Sequence, residues 1–296
     1  MKYLYKLLNR LGILQYFNCT TKIVYNKKKI RIPLIQGIGV TNLNLQPNWF
    51  THLIVNLYKN YSDLEFLDIG ANIGQTLIGV NCSAPQWTYL GFEPNGNCIY
   101  YINKLIQVNE FKSANIIPIA VSNRNAVMDL HLNSLVDSTA TLLDSFRPNH
   151  YASGQRLPIV SSSLDELQAK GLLSKPTYLV KIDIEGGESL ALEGMTNFLQ
   201  EKRPIIICEV LDTHSSETMT DHKDRLFVIE SLLKELNYEI YQIVRSENDD
   251  RITEFKPLVK FRPVAWAEAS LKLNDYIFMP KENEIELDSF LLKNLE

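Results

Sequence analysis

The 296-residue chain puts carboxylates at the ends of several short apolar runs, where a sheet would present them to a ligand. The first such run ends in Asp68-Ile69-Gly70-Ala71-Asn72-Ile73-Gly74. Gly70 and Gly74 permit a tight turn and close backbone approach, and Asp68 can pair with a cation or a hydroxyl. The segment is not GxGxxG, because Asn72 holds the middle position and no third glycine follows at the required spacing. A pyrophosphate favours a helix N-terminus without a carboxylate beside it, so this loop suits a cationic ligand better. Glu93 lies 25 residues beyond Asp68 at the end of the next run. An acidic residue there is placed to accept hydrogen bonds from both hydroxyls of a ribose. Ala120, Val121 and Ser122 end a third run and can flank an adenine ring.

A second group lies in Lys181-Ile182-Asp183-Ile184-Glu185-Gly186-Gly187-Glu188. Alternation along a strand puts Lys181, Asp183 and Glu185 on one face. Three ionisable groups on one face are costly unless paired or functional. Lys181 can pair with Asp183 and leave Glu185 free, while Glu188 suits the first turn of the next helix, where the dipole favours a carboxylate. Glu209 ends a further apolar run, and His214 follows it by five residues in a polar loop, where it can act as a neutral-pH base. Asp183 and Glu209 facing one cavity can bind Mg²⁺, or one of them can be a general base. No chelating cluster is visible in the spacing, and no metal ligand is assigned.

These residues need a sheet to bring them together. Apolar runs at 64–69, 88–92, 115–121, 127–132, 178–184, 205–210, 238–244 and 276–279 read as strands. Helical periodicity marks 73–80, 97–108, a segment starting at Ser163, 188–199 and 222–236, with Ser163 and Glu166 forming a capping box. Strands alternating with helices imply a largely parallel sheet covered on both faces. Ligands of such sheets bind beyond the carboxyl ends of the strands, which is where every candidate residue falls. Residues 133–157 form a long polar segment; Ser138, Thr139, Arg147 and His150 within it can close over a substrate.

Composition sets the class. A hydrophobic fraction of 45% and a charged fraction of 22% fit a globular chain rather than a disordered one. No apolar run approaches the ~20 residues that cross a bilayer. The four cysteines are scattered without a CxxC pair, which points to a reduced, cytoplasmic setting. Charge is uneven. Residues 1–62 hold nine Lys and Arg and no acid, and the remainder carries a net −13. Leu4, Leu7, Leu8, Leu11 and Leu14 recur at helical spacing beside Lys2, Lys6 and Arg10. This reads as a basic amphipathic helix, for contact of residues 1–31 with a membrane surface or anionic glycolipid, or for packing against a core or a second copy in a homodimer. No RNA-reading motif accompanies it, so specific nucleic-acid binding is not expected. The organisation expected is a basic extension (1–60), a main domain (61–280) and an acidic tail (281–296).

Taken together, 66–74 (FLDIGANIG), 91–94 (GFEP), 119–123 (IAVSN), Ser138-Thr139, 163–167 (SLDEL), 179–188 (LVKIDIEGGE) and 203–210 (RPIIICEV) resemble the FkbM family of class I S-adenosylmethionine-dependent methyltransferases. The closing 274–280 (NDYIFMP) is similar to the family as well, while residues 1–60 lie largely outside the resemblance. It implies a Rossmann-like fold with a seven-stranded, mostly parallel sheet, helices on both faces and one antiparallel strand near the C-terminal edge. It implies S-adenosylmethionine on the Gly70–Gly74 loop, with Asp68, Gly70, Asn72 and Gly74 on the methionine side and Glu93 on the ribose. It also implies O-methylation of a hydroxyl on a sugar, glycan or glycolipid. The alternatives are a non-sugar metabolite or peptide acceptor, and a silent S-adenosylmethionine-binding module.

Overall fold

The computed structural model describes residues 2–143, 146, 154–173, 175, 178–213, 217–267, 270, 272–283 and 287. Helix α1 (Lys2–Arg10) leads into a hairpin of β1 (Asn18–Tyr25) and β2 (Lys28–Ile35), followed by α2 (Trp49–Asn60). Then come β3 (Glu65–Ile69), α3 (Gln75–Ser83), β4 (Thr88–Phe92), α4 (Gly96–Asn109) and β5 (Ala114–Ile117). An excursion of β6 (Ala120–Val121), β7 (Ala126–Leu132) and β8 (Gln155–Ser162) precedes α5 (Leu164–Ala169) and β9 (Tyr178–Ile182). The chain continues through α6 (Glu188–Glu193), α7 (Thr196–Lys202), β10 (Ile205–Glu209), α8 (Met219–Glu235), β11 (Tyr238–Arg245), β12 (Ile252–Leu258) and β13 (Asp275–Pro280).

The main sheet runs β12-β11-β13-β10-β9-β3-β4-β5. Strands β5, β4, β3, β9 and β10 are parallel, and β13 is inserted antiparallel between β10 and β11. This is the Rossmann-like class I methyltransferase architecture that the resemblance implies, with eight strands instead of seven. The extra strand is β12, which pairs antiparallel with β11 at the edge. Both faces of the central strands are buried, as continuous apolar runs such as Ile205-Ile206-Ile207-Cys208 require. On one face, α2, α3, α4 and the β1–β2 hairpin join a core around Phe66, Leu77, Tyr89 and Tyr101. On the other, α6, α7 and α8 pack around Val180, Leu192, Phe198, Ile206 and Phe278.

Several boundaries differ from those read in the sequence, each for a local reason. The run 115–121 divides because Pro118 lacks an amide donor for the ladder. Strand β5 stops at Ile117, and β6 pairs instead with β8 in a separate three-stranded sheet. Strand 127–132 also belongs to that small sheet, as β7. The helix read over 188–199 is two helices with a break at Gly194-Met195. Residues 155–162, the end of the polar segment included, form β8 antiparallel to β7. The hairpin β1–β2 turns through Asn26 and Lys27, both with positive φ (45° and 63°), as the tightest hairpin turns demand. Its strands and α2 are integral to the first core: Tyr25 Oη bonds Thr51 Oγ1 at 2.6 Å, and Asn48 caps α2 in a reciprocal box with Thr51. All four cysteines are free thiols. No helix among the described residues is long and apolar enough to cross a membrane.

The break at Gly194 yields a stability test. A Cβ there would stand 2.0 Å from the carbonyl oxygen of Ser122, so only glycine lets the α6–α7 corner meet the chain after β6. Gly194→Ala should cost about 1–3 kcal/mol through forced backbone movement. Thermal unfolding should register it as a Tm lowered by about 2–4 °C per kcal/mol, and an unchanged Tm would show that the contact relaxes freely.

Candidate active site

The carboxyl ends of β3, β4, β9 and β10 open onto one cavity. Its first region is the loop after β3. Gly70 has φ +97°, and a Cβ there would stand 2.0 Å from the carbonyl oxygen of Asp183, so the loop can lie against the end of β9 only as glycine. Asn72 is also left-handed (φ 45°), which asparagine tolerates better than most residues. Its amide donates to Glu93 Oε2 at 2.8 Å, while Asn95 N donates to Glu93 Oε1 at 2.8 Å. One carboxylate thus joins the β3 and β4 loops. Asn95 then caps α4 and donates through Nδ2 to the carbonyl of Leu135 at 2.9 Å. Burial pushes the Glu93 carboxyl up to about 7 despite those two amide bonds.

The second region is the end of β9. Lys181 Nζ meets Asp183 Oδ2 at 2.6 Å, and the two side chains are 17% and 35% exposed. Across the ladder, Asp68 of β3 is the register partner of Lys181. Burial works against a charged Lys181, but the negative charges of Asp183, Asp68 and Glu209 outweigh it and raise its pKa. Burial likewise opposes ionisation of Asp183; Lys181 and hydrogen bonding from Glu209 bring its pKa below the usual carboxylate value. Glu209 is pushed far up by burial and by the neighbouring Asp183 and Asp275. The proton of this pair therefore resides on Glu209, which donates it to an ionised Asp183.

Strand β9 ends at Ile182, one residue before Asp183, so the expected strand face of Lys181, Asp183 and Glu185 is not extended backbone throughout. The three still meet, because Glu185 turns left-handed (φ 55°) and comes back to the cavity. Oxygens of Asp183, Glu185 and Glu209 lie within 4.8 Å of one another. Spacing in the sequence did not show this cluster, since the fold draws Glu209 in from the next strand. Glu188 opens α6 and accepts from Gly186 N at 2.9 Å, which fits the helix-start role expected of it.

Gly70, Asn72, Glu93, Ala120, Val121, Lys181, Asp183, Glu185 and Glu209 all line the cavity. Asp68, Gly74 and Ser122 do not. Asp68 is fully buried behind the loop and accepts from Tyr89 Oη. Gly74 is the left-handed residue before α3, packed close to Leu105. Ser122 is buried and bonds Ser162 through its amide at 3.0 Å. His214, Arg147 and His150 lie outside the described residues. Ser138 lines the cavity with Asp137, Ala140 and Leu142, and Thr139 donates to Asp137 Oδ1 through N and Oγ1. Sequence reasoning passed over Asn95, Cys98 and Asp137. Asn95 carried a usable signal, an asparagine directly before a helical run; Asp137 carried none.

The profile of the family described as "Methyltransferase FkbM domain" matches residues 68–240, more than half of the chain and all of the cavity's loops. The chain belongs to the FkbM methyltransferase family. Among solved structures it is similar to an FkbM methyltransferase from Methylobacillus flagellatus KT, at 15% identity over 73% of this chain and 44% of that one, with a TM-score of 0.44. It spans less than half the length of that protein. It is also similar to a putative caffeoyl-CoA O-methyltransferase from Staphylococcus aureus (10% identity, 78% and 82% coverage, TM-score 0.43). A third similarity is to an O-methyltransferase from Bacillus cereus in complex with SAH (12% identity, 77% and 79% coverage, TM-score 0.41). No curated protein matches the chain.

The FkbM domain's buried carboxyls have a consequence for pH. Burial raises both Glu93 and Glu188 from 4.5 to about 7. A carboxyl with a raised folded-state pKa binds its proton more tightly in the fold than in the unfolded chain. Its contribution is whole below the unfolded value and is lost as pH rises to about 7. Each group should take away about 2–4 kcal/mol over that interval. Urea unfolding of the ligand-free protein should therefore show stability falling between pH 5 and pH 8. Glu188→Gln, away from the cavity wall, should remove roughly a third or more of the fall; an unaltered slope would place the proton uptake elsewhere.

Proposed function

We propose that this FkbM-family chain is an S-adenosylmethionine-dependent O-methyltransferase acting on a hydroxyl of a sugar, glycan or glycolipid. The observation that carries the reading is the continuity of the cavity from Glu93 at one end to Lys181, Asp183 and Glu209 at the other. The first end suits a donor nucleoside and the second suits an acceptor proton.

The residues at the donor end fit the cofactor. Each Glu93 oxygen accepts one amide and keeps lone-pair capacity for a ribose hydroxyl. Ile119, Ala120, Val121, Leu130 and Leu142 supply an apolar wall for an adenine ring. The Asn72 amide is already committed to a carboxylate, which disfavours a phosphate on this loop. The acidic lining complements a ligand with a sulfonium and an ammonium. S-adenosylmethionine supplies an electrophilic methyl group when bound.

At the acceptor end, Asp183 is the general base. Lys181 keeps it ionised and fixes its orientation, and Glu209 carries the single proton of the pair. Asp137, Ser138 and Leu142 also line the cavity, where they would exclude water from an acceptor oxygen aligned for in-line transfer. A second reading of the same cluster is a divalent cation such as Mg²⁺ on Asp183, Glu185 and Glu209, favoured by their 4.8 Å grouping. The Lys181 ammonium and the shared proton already offset these charges, which favours the acid–base reading.

The test is methyl transfer from labelled donor to a panel of saccharides and other hydroxyl acceptors. Asp183→Asn should lower kcat about 10²–10⁴-fold, the usual worth of a positioned base, with donor affinity within about threefold of wild type. Activity unaffected by EDTA supports the base; activity that EDTA abolishes and Mg²⁺ restores supports the cation. Transfer only to nitrogen or carbon acceptors, or none with any acceptor, would contradict the O-methyltransferase reading.

A further inference from the structure

Helix α1 presents its apolar stripe to the outside. Tyr3, Leu4, Leu7 and the following Leu11 are 82%, 53%, 53% and 61% exposed. Leu4, Leu7 and Leu11 stand at i, i+3 and i+7, and Tyr3 at i−4 from Leu7, so the four form one face. Surface helices ordinarily turn such a face to the core. Here the core is met along one edge of that stripe, through Tyr5 and Leu8. Lys2, Lys6 and Arg10, spaced at i, i+4 and i+8, make a third stripe beside the exposed apolar one. The apolar exposure continues past the helix at Tyr16 and Phe17.

The electrostatic setting points the same way. Residues 1–62 hold nine basic residues and no acid. Among the described residues, none of those nine forms an ion pair with a carboxylate. The described carboxylates of the acidic body therefore make no direct pair with them. On the outer face of the hairpin, Lys22 and Arg31 are register partners, a like-charge pairing that an external anion would relieve.

We propose that α1 is a monotopic docking element that lays its Tyr3–Leu4–Leu7–Leu11 face into the surface of an anionic lipid bilayer, with Lys2, Lys6 and Arg10 at the headgroups. An apolar face beside a basic one is what an interfacial helix requires. A nucleic acid would use the cations and leave the leucines in water. A second copy of this chain would cover the leucines and bring two sets of cations together. The bilayer satisfies both stripes, and Tyr5 and Leu8 keep the helix attached to the fold while it does so. Acceptors carried on lipid would then be presented to an enzyme already at the surface.

Vesicle flotation of the full chain tests this with phosphatidylcholine vesicles, with and without about 30% phosphatidylglycerol, at 0.1 M salt, where exposed charges are screened beyond ~10 Å. The wild type should float with anionic vesicles at least tenfold more than with neutral ones, and 0.5 M salt should release it. Leu4→Ser/Leu7→Ser/Leu11→Ser should lose at least tenfold, as should Lys2→Glu/Lys6→Glu/Arg10→Glu, at roughly fivefold per basic residue removed from the surface. None of the six is Tyr5 or Leu8, the residues that hold the helix to the core, and unchanged circular dichroism and Tm would confirm folding. Absent flotation, or flotation equal in wild type and both variants, overturns the proposal. So does a wild-type dimer that the leucine variant dissociates without any vesicle binding, which would give the stripe to a second copy. A salt-sensitive RNA shift without vesicle binding would give the cations to nucleic acid and overturn it too.

Discussion

The Lys181 ammonium is the charge on which the carboxyl end of the sheet depends. Asp68 stands beside it in register on β3, Asp183 bonds it at 2.6 Å, and Glu209 acts on it from β10. One strand further, Asp275 faces Glu209 in register and is held by Arg245 at 3.1 Å. Carboxylates on adjacent buried strands would repel one another and desolvate at high cost without a cation among them. The lysine offsets part of that cost, and a proton retained on Glu209 offsets more. The result is an ordering within the pair, with Asp183 pushed toward the ionised form and Glu209 toward the protonated one. Environments that push two carboxyls apart in this way define acid and base roles.

The same end of the sheet concentrates unusual backbone. Gly70, Asn72, Gly74, Glu185 and Gly186 all have positive φ. Gly70 closes against the Asp183 carbonyl, and Gly186 against the Phe146 ring. Left-handed residues other than glycine carry strain that the surrounding structure must support. Glu93 supplies part of that support by accepting from both loops at once. The loops that would hold a donor and the turn that would meet an acceptor are thereby built on one another, in contact through Gly70 and the Asp183 carbonyl.

Much of this was legible in the sequence. Gly70, Asn72 and Glu93 stood out by their place directly after apolar runs, and they line the cavity, whereas Asp68, singled out with them, is buried behind the loop. The five parallel strands followed from their continuous apolar character. What escaped was non-local. The grouping of Glu185 with Glu209 depends on a left-handed turn and on strand order, neither of which spacing encodes. The separate β6-β8-β7 sheet depends on Pro118, whose effect on the ladder is plain only once the partner strand is known. The β1–β2 hairpin hid in a segment whose charge drew attention away from its alternating Ile23, Ile30 and Ile32. The amphipathic α1 was readable as a helix, but which of its stripes faces the core was not.

Calorimetric titration of S-adenosylmethionine and S-adenosylhomocysteine into the wild type and Glu93→Ala tests the central claim most directly. The structure leads us to expect binding near −8 kcal/mol, a micromolar Kd, weakened about tenfold or more when Glu93 is truncated, with circular dichroism unchanged. Folded wild-type protein that binds neither nucleoside, or a Glu93→Ala variant that binds both as tightly as wild type, would contradict it.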